Sequence, residues 1–107
     1  MTTKEVFEEM QQRLNQKEKD QLSGTQGVYQ FVLTGADSAE YYVRVHDGSA
    51  RVEAGKAEDA GVTVTMTADD FKDLASGKLN PMTAFMSGKL SVTGDMSMAL
   101  KLQTLIA

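Results

Sequence analysis

The sequence predicts an α+β fold, with a five-stranded, mainly antiparallel but mixed sheet covered by helices. Three observations lead there. Apolar residues recur with period 2 in five short stretches and at helical spacing elsewhere. The stretches run helix, three strands, crossover loop, strand, two short helices, strand, helix, without regular βαβ alternation. The chain has 107 residues, 41% hydrophobic and 24% charged, which suits one ordinary domain spanning residues 1–107.

Each element has its own signal. Thr2 and Glu5 have capping-box spacing, and Val6, Phe7, Met10 and Leu14 then share one stripe of a helix whose other positions are polar. Helix signals fade over Asn15–Gln21, and Gly24 and Gly27 break the pattern. Tyr29, Phe31 and Leu33 form one face of a first strand, and Tyr41, Val43 and Val45 one face of a second. Gln30, Arg44 and His46 fall on the opposite, wet face. Asp47-Gly48 is a strong hairpin signal, and Val52 sits between Arg51 and Glu53 in a third strand. Gly55 to Gly61 reads as a polar loop. Val62, Val64 and Met66 then alternate with threonines in a fourth strand.

Thr67 is placed to cap a short helix with Asp69 and Asp70 in its first turn and Phe71, Leu74 and Ala75 on its apolar face. Asn80-Pro81 restarts a helix as N-cap and first residue, with Met82, Phe85 and Met86 expected to face inward. Leu90 and Val92 mark a fifth strand, on the same helix-covered face as the other apolar strand positions. Gly94-Asp95 opens a last helix, from Met96 to about Ile106.

That last helix is unusually apolar. On a wheel of about 100° per residue from Met96, the residues Met98, Ala99, Leu102, Leu105 and Ile106 fall between about 180° and 300°, with Leu100 at about 40°. Only Ser97, Lys101 and Thr104 make a polar strip. A surface helix typically needs an apolar arc of ~100° or somewhat more, so this one calls for cover on more than one side. A second protein layer, a dimer partner or a bound apolar ligand would each supply it. Gln103 lies inside the apolar arc and needs a backbone or ligand partner. Five of the seven methionines lie in the second half, where unbranched side chains suit an adaptable apolar pocket as well as a core.

Composition excludes several functions. Net charge is −4, against the basic surplus of a nucleic-acid binder. It is unevenly placed: residues 78–107 carry Lys78, Lys89 and Lys101 against Asp95 alone, giving a mildly cationic, apolar third that suits an anionic lipid surface or a carboxylate ligand. No apolar run approaches the roughly 20 residues of a spanning helix, and no apolar leader opens the chain. There is no Cys, so no disulfide or thiol chemistry.

Catalytic constellations are likewise missing. His46 is the sole histidine, Asp69 and Asp70 are explained as helix-start residues, and Glu58-Asp59 is a loop pair. Gly24-Thr25-Gln26-Gly27 lacks the Lys-Ser/Thr of a phosphate loop, and there is no G-x-S-x-G elbow. No enzyme activity, metal or cofactor is expected.

The second half carries a specific resemblance. Ser76-Gly77-Lys78-Leu79-Asn80-Pro81-Met82-Thr83-Ala84-Phe85-Met86-Ser87-Gly88-Lys89-Leu90, then Val92-Thr93-Gly94-Asp95-Met96 and Ala99-Leu100-Lys101-Leu102, resemble the sterol carrier protein type 2 domain family. The resemblance implies an apolar tunnel between sheet and helices that binds fatty acid, fatty acyl-CoA, phospholipid or sterol-like lipids. It places Phe71, Leu74, Met82, Phe85, Met86 and Leu90 at that site with Met98, Leu102, Gln103, Leu105 and Ile106 of the last helix. Gln103 matches a family Gln and is expected near a ligand head group. The last helix is expected to gate the tunnel. The expected partners are a small-molecule lipid and a transient membrane contact, with a homodimer as a further option. The alternative is an accessory or dimerisation module whose apolar C-terminal helix packs on a partner protein. The ending Leu105-Ile106-Ala107 lacks an S-K-L-like signal, so a cytoplasmic location is the expectation.

Overall fold

Thr2 starts the first helix as its spacing predicts. In the computed structural model, which describes residues 2–106 apart from the side chains of Gln103 and Thr104, Thr2 Oγ1 accepts from the Glu5 amide at 3.2 Å. Glu5 Oε1 accepts from the Thr2 amide at 2.9 Å. Helix α1 (Thr3–Asn15) buries Val6, Phe7, Met10 and Leu14 and exposes Lys4, Glu5, Glu8 and Glu9. Asp37 anchors its start. The Asp37 carboxylate accepts from the Thr3 amide at 2.6 Å and meets Lys72 Nζ at 3.0 Å. These two contacts, the Thr3 amide first, hold its pKa below the ordinary aspartate value. A short α2 (Lys19–Ser23) follows where helix signals fade. It buries Leu22 alone, and one apolar residue leaves no periodicity to read.

The sheet has the order β3-β2-β1-β4-β5, from β1 (Gly27–Thr34), β2 (Ala39–His46), β3 (Ser49–Ala54), β4 (Val62–Thr67) and β5 (Leu90–Gly94). β1 and β4 pair in parallel and the other neighbours are antiparallel, so the sheet is mixed as expected. Asp47 and Gly48 turn β2 into β3 with φ of 51° and 77°, the double left-handed turn that Asp-Gly favours. Tyr29, Phe31, Leu33, Val43, Val45, Val62, Val64, Met66 and Leu90 are buried on the helix-covered face, with Tyr41 and Val92 half-buried beside them. Phe7 stacks on Tyr41 at 4.1 Å and on Phe71 at 4.7 Å, and meets Phe31 edge-on at 5.8 Å. This aromatic cluster welds α1 and α3 (Ala68–Ala75) to the sheet.

The other face is not uniformly wet. Arg44 and His46 are exposed as expected, but Gln30 is 2% exposed. The crossover from β3 to β4 folds over it. Gln30 Nε2 donates to the carbonyls of Gly55 at 3.0 Å and Tyr41 at 3.1 Å, and its Oε1 accepts from the Ala57 amide at 2.7 Å. Arg44 grips the same crossover through Asp59, at 2.7 and 3.1 Å. A strand-face Gln reads as solvated in sequence; here its amide replaces water for a loop that must cross the sheet to place β4 beside β1.

A second amide protects the sheet's edge. Gln11 of α1 donates to the Ala50 carbonyl at 2.9 Å and accepts from the Val52 amide at 2.5 Å. Both backbone groups belong to β3, whose outer side would otherwise offer unpaired groups to another strand.

Candidate functional site

Helix α4 (Pro81–Met86) forms where Asn80-Pro81 predicts it. Asn80 Oδ1 accepts from the Met82 amide at 2.8 Å and Pro81 occupies the first helical position. Its orientation differs from the expectation. Ala84 is the buried residue, while Met82, Phe85 and Met86 are exposed, Met86 by 79%. Taking Ala84 as 0°, those three lie at about 160°, 100° and 200°. They share a stripe, but it is the stripe opposite Ala84. The small Ala84 side chain lets this short helix lie close to the sheet, which turns the large side chains outward.

The last helix is two helices. Asp95 caps α5 (Met96–Ala99), its carboxylate accepting from the Ser97 amide at 2.8 Å and the Ser97 hydroxyl at 2.5 Å. The hydroxyl first, then the amide, hold its pKa below the ordinary value. The Lys101 amide donates to Met98 O at 2.9 Å, a tight three-residue turn, and α6 (Leu102–Ile106) starts in a new phase. The break divides the broad apolar arc. Leu102, Leu105 and Ile106 go into the core, whereas Met96 and Leu100 face out, Leu100 by 70%. No Gly or Pro marks the break in sequence. Met98 is half-buried and docks on the bare backbones of Gly27 and Gly61. A Cβ at either would stand 2.5 Å from its Cε or Sδ.

These elements frame two concavities. The smaller, about 110 Å³, is walled by Pro81, Met82, Phe85, Leu90, Val92, Met96, Ala99, Leu100 and Leu102, all apolar. The larger, about 300 Å³, is bounded by Arg13, Leu74, Ala75, Leu79, Pro81 and Ile106 with the polar turn Ser76-Gly77 and Asn80. Arg13 Nη1 donates to the Ala75 carbonyl there at 3.3 Å, at the C-terminal end of α3. Pro81 belongs to both walls. So does α6, through Leu102 on one side and Ile106, one turn later, on the other. The all-apolar surface of the smaller concavity can desolvate alkyl groups. The smaller cleft is also below the roughly 300–1,000 Å³ of ligand pockets, so a long chain enters only if its walls separate.

The eleven residues singled out in the sequence therefore divide. Met82, Phe85, Leu90 and Leu102 meet around the smaller cleft, and Leu74 and Ile106 lie at the larger cavity. Phe71 and Leu105 are buried core, Met98 sits on the glycines, and Met86 stands outside both cavities. The Gln103 side chain lies outside the described residues. Sequence reading missed Met96 and Leu100 as lining residues, although both lay on the apolar arc, and gave no signal for Arg13. Among the described residues, no cluster of three or more His, Asp or Glu could hold a metal, and no helix is long and apolar enough to cross a membrane. His46 sits exposed beside Asp47, 3.0 Å from its carboxylate.

Known proteins share this architecture. The sterol carrier protein domain 2 of Helicoverpa armigera superposes with a TM-score of 0.78 at 28% identity, covering 94% of this chain and 82% of that one. The palmitated SCP2L2 of Aedes aegypti gives 0.83 at 23% identity, covering 99% and 95%. Hydroxysteroid dehydrogenase-like protein 2 of Xenopus tropicalis is 37% identical over 103 residues, 95% of this chain and 24% of that protein. Sterol carrier protein 2 of Gallus gallus is 36% identical over 103 residues, 94% of this chain and 19% of that protein. The chain thus spans about a quarter or less of the length of these two curated relatives. The model of the SCP-2 sterol transfer family matches residues 7–107, across both halves of the sheet and all the elements that frame the cavities. On that match, and on the identity carried through nearly the whole sequence, the chain belongs to the SCP-2 sterol transfer family.

Proposed function

We propose that this chain binds and transfers long-chain lipids, without chemistry of its own, in an apolar channel opened by movement of α5 and α6. Fatty acid, fatty acyl-CoA, phospholipid and sterol-like molecules are the candidate cargo. The observation that carries the reading is the place of α6: Leu102 and Ile106 on one short helix separate the two concavities. Displacing α6 would join them into a passage between sheet and helices. Each methylene buried there contributes about 0.8 kcal/mol, so an acyl chain is held by desolvation with few polar contacts. The palmitated state of the Aedes aegypti relative supports an acyl chain as cargo for this architecture.

Hydrogen exchange tests the gate. Amides from Ala99 to Leu105 should exchange faster in delipidated protein than with a long-chain fatty acid bound. Equal, slow exchange in both would make α6 plain core. Native mass spectrometry of protein purified from cells separates this reading from the dimerisation module: retained lipid supports the first, a lipid-free stoichiometric dimer the second. The exposed Met82, Met86 and Leu100 are what keep the second reading in play.

A further inference from the structure

Helix α5 has no fully buried residue; of its four, only Met98 and Ala99 pack on the core. Ala99 offers a single methyl, so the seat of α5 is the Met98 thioether. It lies in a notch that two glycines leave open. A Cβ would stand 2.5 Å from the Met98 Cε at Gly27 and 2.5 Å from its Sδ at Gly61. A φ of 138° gives Gly27 a backbone reason to be glycine; Gly61 has no positive φ, and the sulfur resting on it supplies the reason instead. The notch suits a sulfur that carries no oxygen. The Gly61 amide is spent on the Val28 carbonyl at 3.0 Å, and the Gly61 carbonyl on the Asp95 amide at 2.9 Å. The floor at Gly61 thus holds no free donor, and a strong acceptor pressed against it would lose water without gaining a hydrogen bond. Met98 is only half-buried, which leaves it within reach of a small oxidant.

We infer that Met98 is a redox latch: a hydroperoxide converts its thioether to the sulfoxide, which leaves the Gly27–Gly61 notch and frees α5 from the sheet. The sulfur attacks the terminal peroxide oxygen. An S–O bond forms, the O–O bond breaks and sulfur gives up two electrons. The departing oxygen takes the proton of the transferred one and leaves as water or an alcohol. Met82, Met86 and Met96 are exposed and oxidise as well, but their sulfoxides stay hydrated. Met98 is the one whose sulfur is seated on backbone. The consequence for cargo rests on the function proposed above: α5 brings Met96 and Ala99 to the wall of the smaller cleft and Leu100 follows them, so freeing α5 opens that wall and weakens the hold on a bound chain.

Amide exchange on lipid-free protein treated with hydrogen peroxide tests the latch apart from any cargo, with peptide mass spectrometry locating the added oxygen at each methionine. The amides of Ala99, Leu100 and Lys101 donate to the carbonyls of Asp95, Met96 and Met98. Once Met98 is oxidised they should exchange about tenfold faster or more. Methionine sulfoxide reductases with a thiol should restore the slow exchange. Met98→Leu, with Met82, Met86 and Met96 oxidised, should exchange as its own untreated form does. Met98→Gln, which puts a polar group at a similar reach, should loosen the same amides without peroxide. Met98 still reduced when the three exposed methionines are fully oxidised would overturn the inference. So would slow exchange with the sulfoxide in place, protection kept by Met98→Gln, or equal loosening of Met98→Leu by peroxide. Retention of a fluorescent fatty acid is read in parallel: untreated protein that holds none would strike the proposed cargo role and leave the latch standing.

Discussion

Gln30 Nε2 reaches the Gly55 carbonyl at 3.0 Å across the outer face of the sheet, while its Oε1 takes the Ala57 amide. One buried side chain thus satisfies the crossover that makes the parallel β1–β4 pairing possible. Gln30→Leu keeps the approximate volume and removes the polar partner. Leaving a buried amide unpaired costs about 1–3 kcal/mol, so the urea midpoint of the variant should fall by a corresponding amount. A midpoint equal to wild type would mean that water replaces the side chain without loss.

Gly94 and Gly61 offer a paired test of the site's foundation. Gly94 has a φ of 106°, and a Cβ there would stand 2.5 Å from the Gly61 carbonyl oxygen. Backbone has no room to yield, so Gly94→Ala should lose about 2 kcal/mol or more. Gly61→Ala meets the thioether end of Met98, which can move aside. It should cost less stability and loosen α5, seen as faster amide exchange at Met98 and Ala99. Equal destabilisation by the two variants would contradict this ranking.

Phe85 and Met86 are neighbours with different surroundings: one walls the cleft and the other points into solvent. Phe85→Glu should weaken retention of a fluorescent fatty acid by about tenfold or more, the scale set by one aromatic side chain's apolar contact. Met86→Glu and His46→Glu should retain it in solution. Weakening by Met86→Glu equal to that of Phe85→Glu would place the bound chain outside the cleft described here.

The Asp37 carboxylate, its pKa lowered by the Thr3 amide and then by Lys72, links α1 to the turn after β1. A depressed pKa stabilises the fold above the unfolded-state value, and the effect is lost as pH falls through the lower folded value. Asp37→Asn, which tolerates the same left-handed backbone, should be less stable than wild type at pH 7. The difference should shrink below about pH 4, the ordinary aspartate range. Parallel acid curves for the two proteins would remove Asp37 from the pH response.

Where the sequence was legible, one residue pattern had one outcome. Thr2–Glu5, Thr67, Asn80-Pro81 and Asp47-Gly48 act through local geometry, and each forms the cap or turn it signals. The alternating strand faces were equally readable, because a slip of one residue would bury Arg44 and expose Val43. The misreadings depend on contacts distant in sequence. Gln30 is buried by a loop more than twenty residues later. Ala84 faces inward because a small side chain suits the approach of α4 to the sheet, which no periodicity records. The break after Ala99 has no Gly or Pro to announce it, so the wide apolar arc read as one helix instead of two with different faces. Half of the candidate site followed from apolar character; which apolar residue faces the cleft and which the solvent was set by those two turns.

The parallel pairing of β1 with β4 also sets an order in time. β1, β2 and β3 close through short turns between neighbours and lose little chain entropy in doing so. β4 finds β1 only after the whole meander and its crossover are in place, and β5 with the helices around it depends on β4. Contacts so far apart in the chain form late. The half of the molecule bearing α4 and α5 therefore rests on pairings that span the chain, while Leu102, Leu105 and Ile106 of α6 tie it back into the core. The Phe7–Phe31–Phe71 cluster belongs to α1, β1 and α3, apart from that end of the sheet.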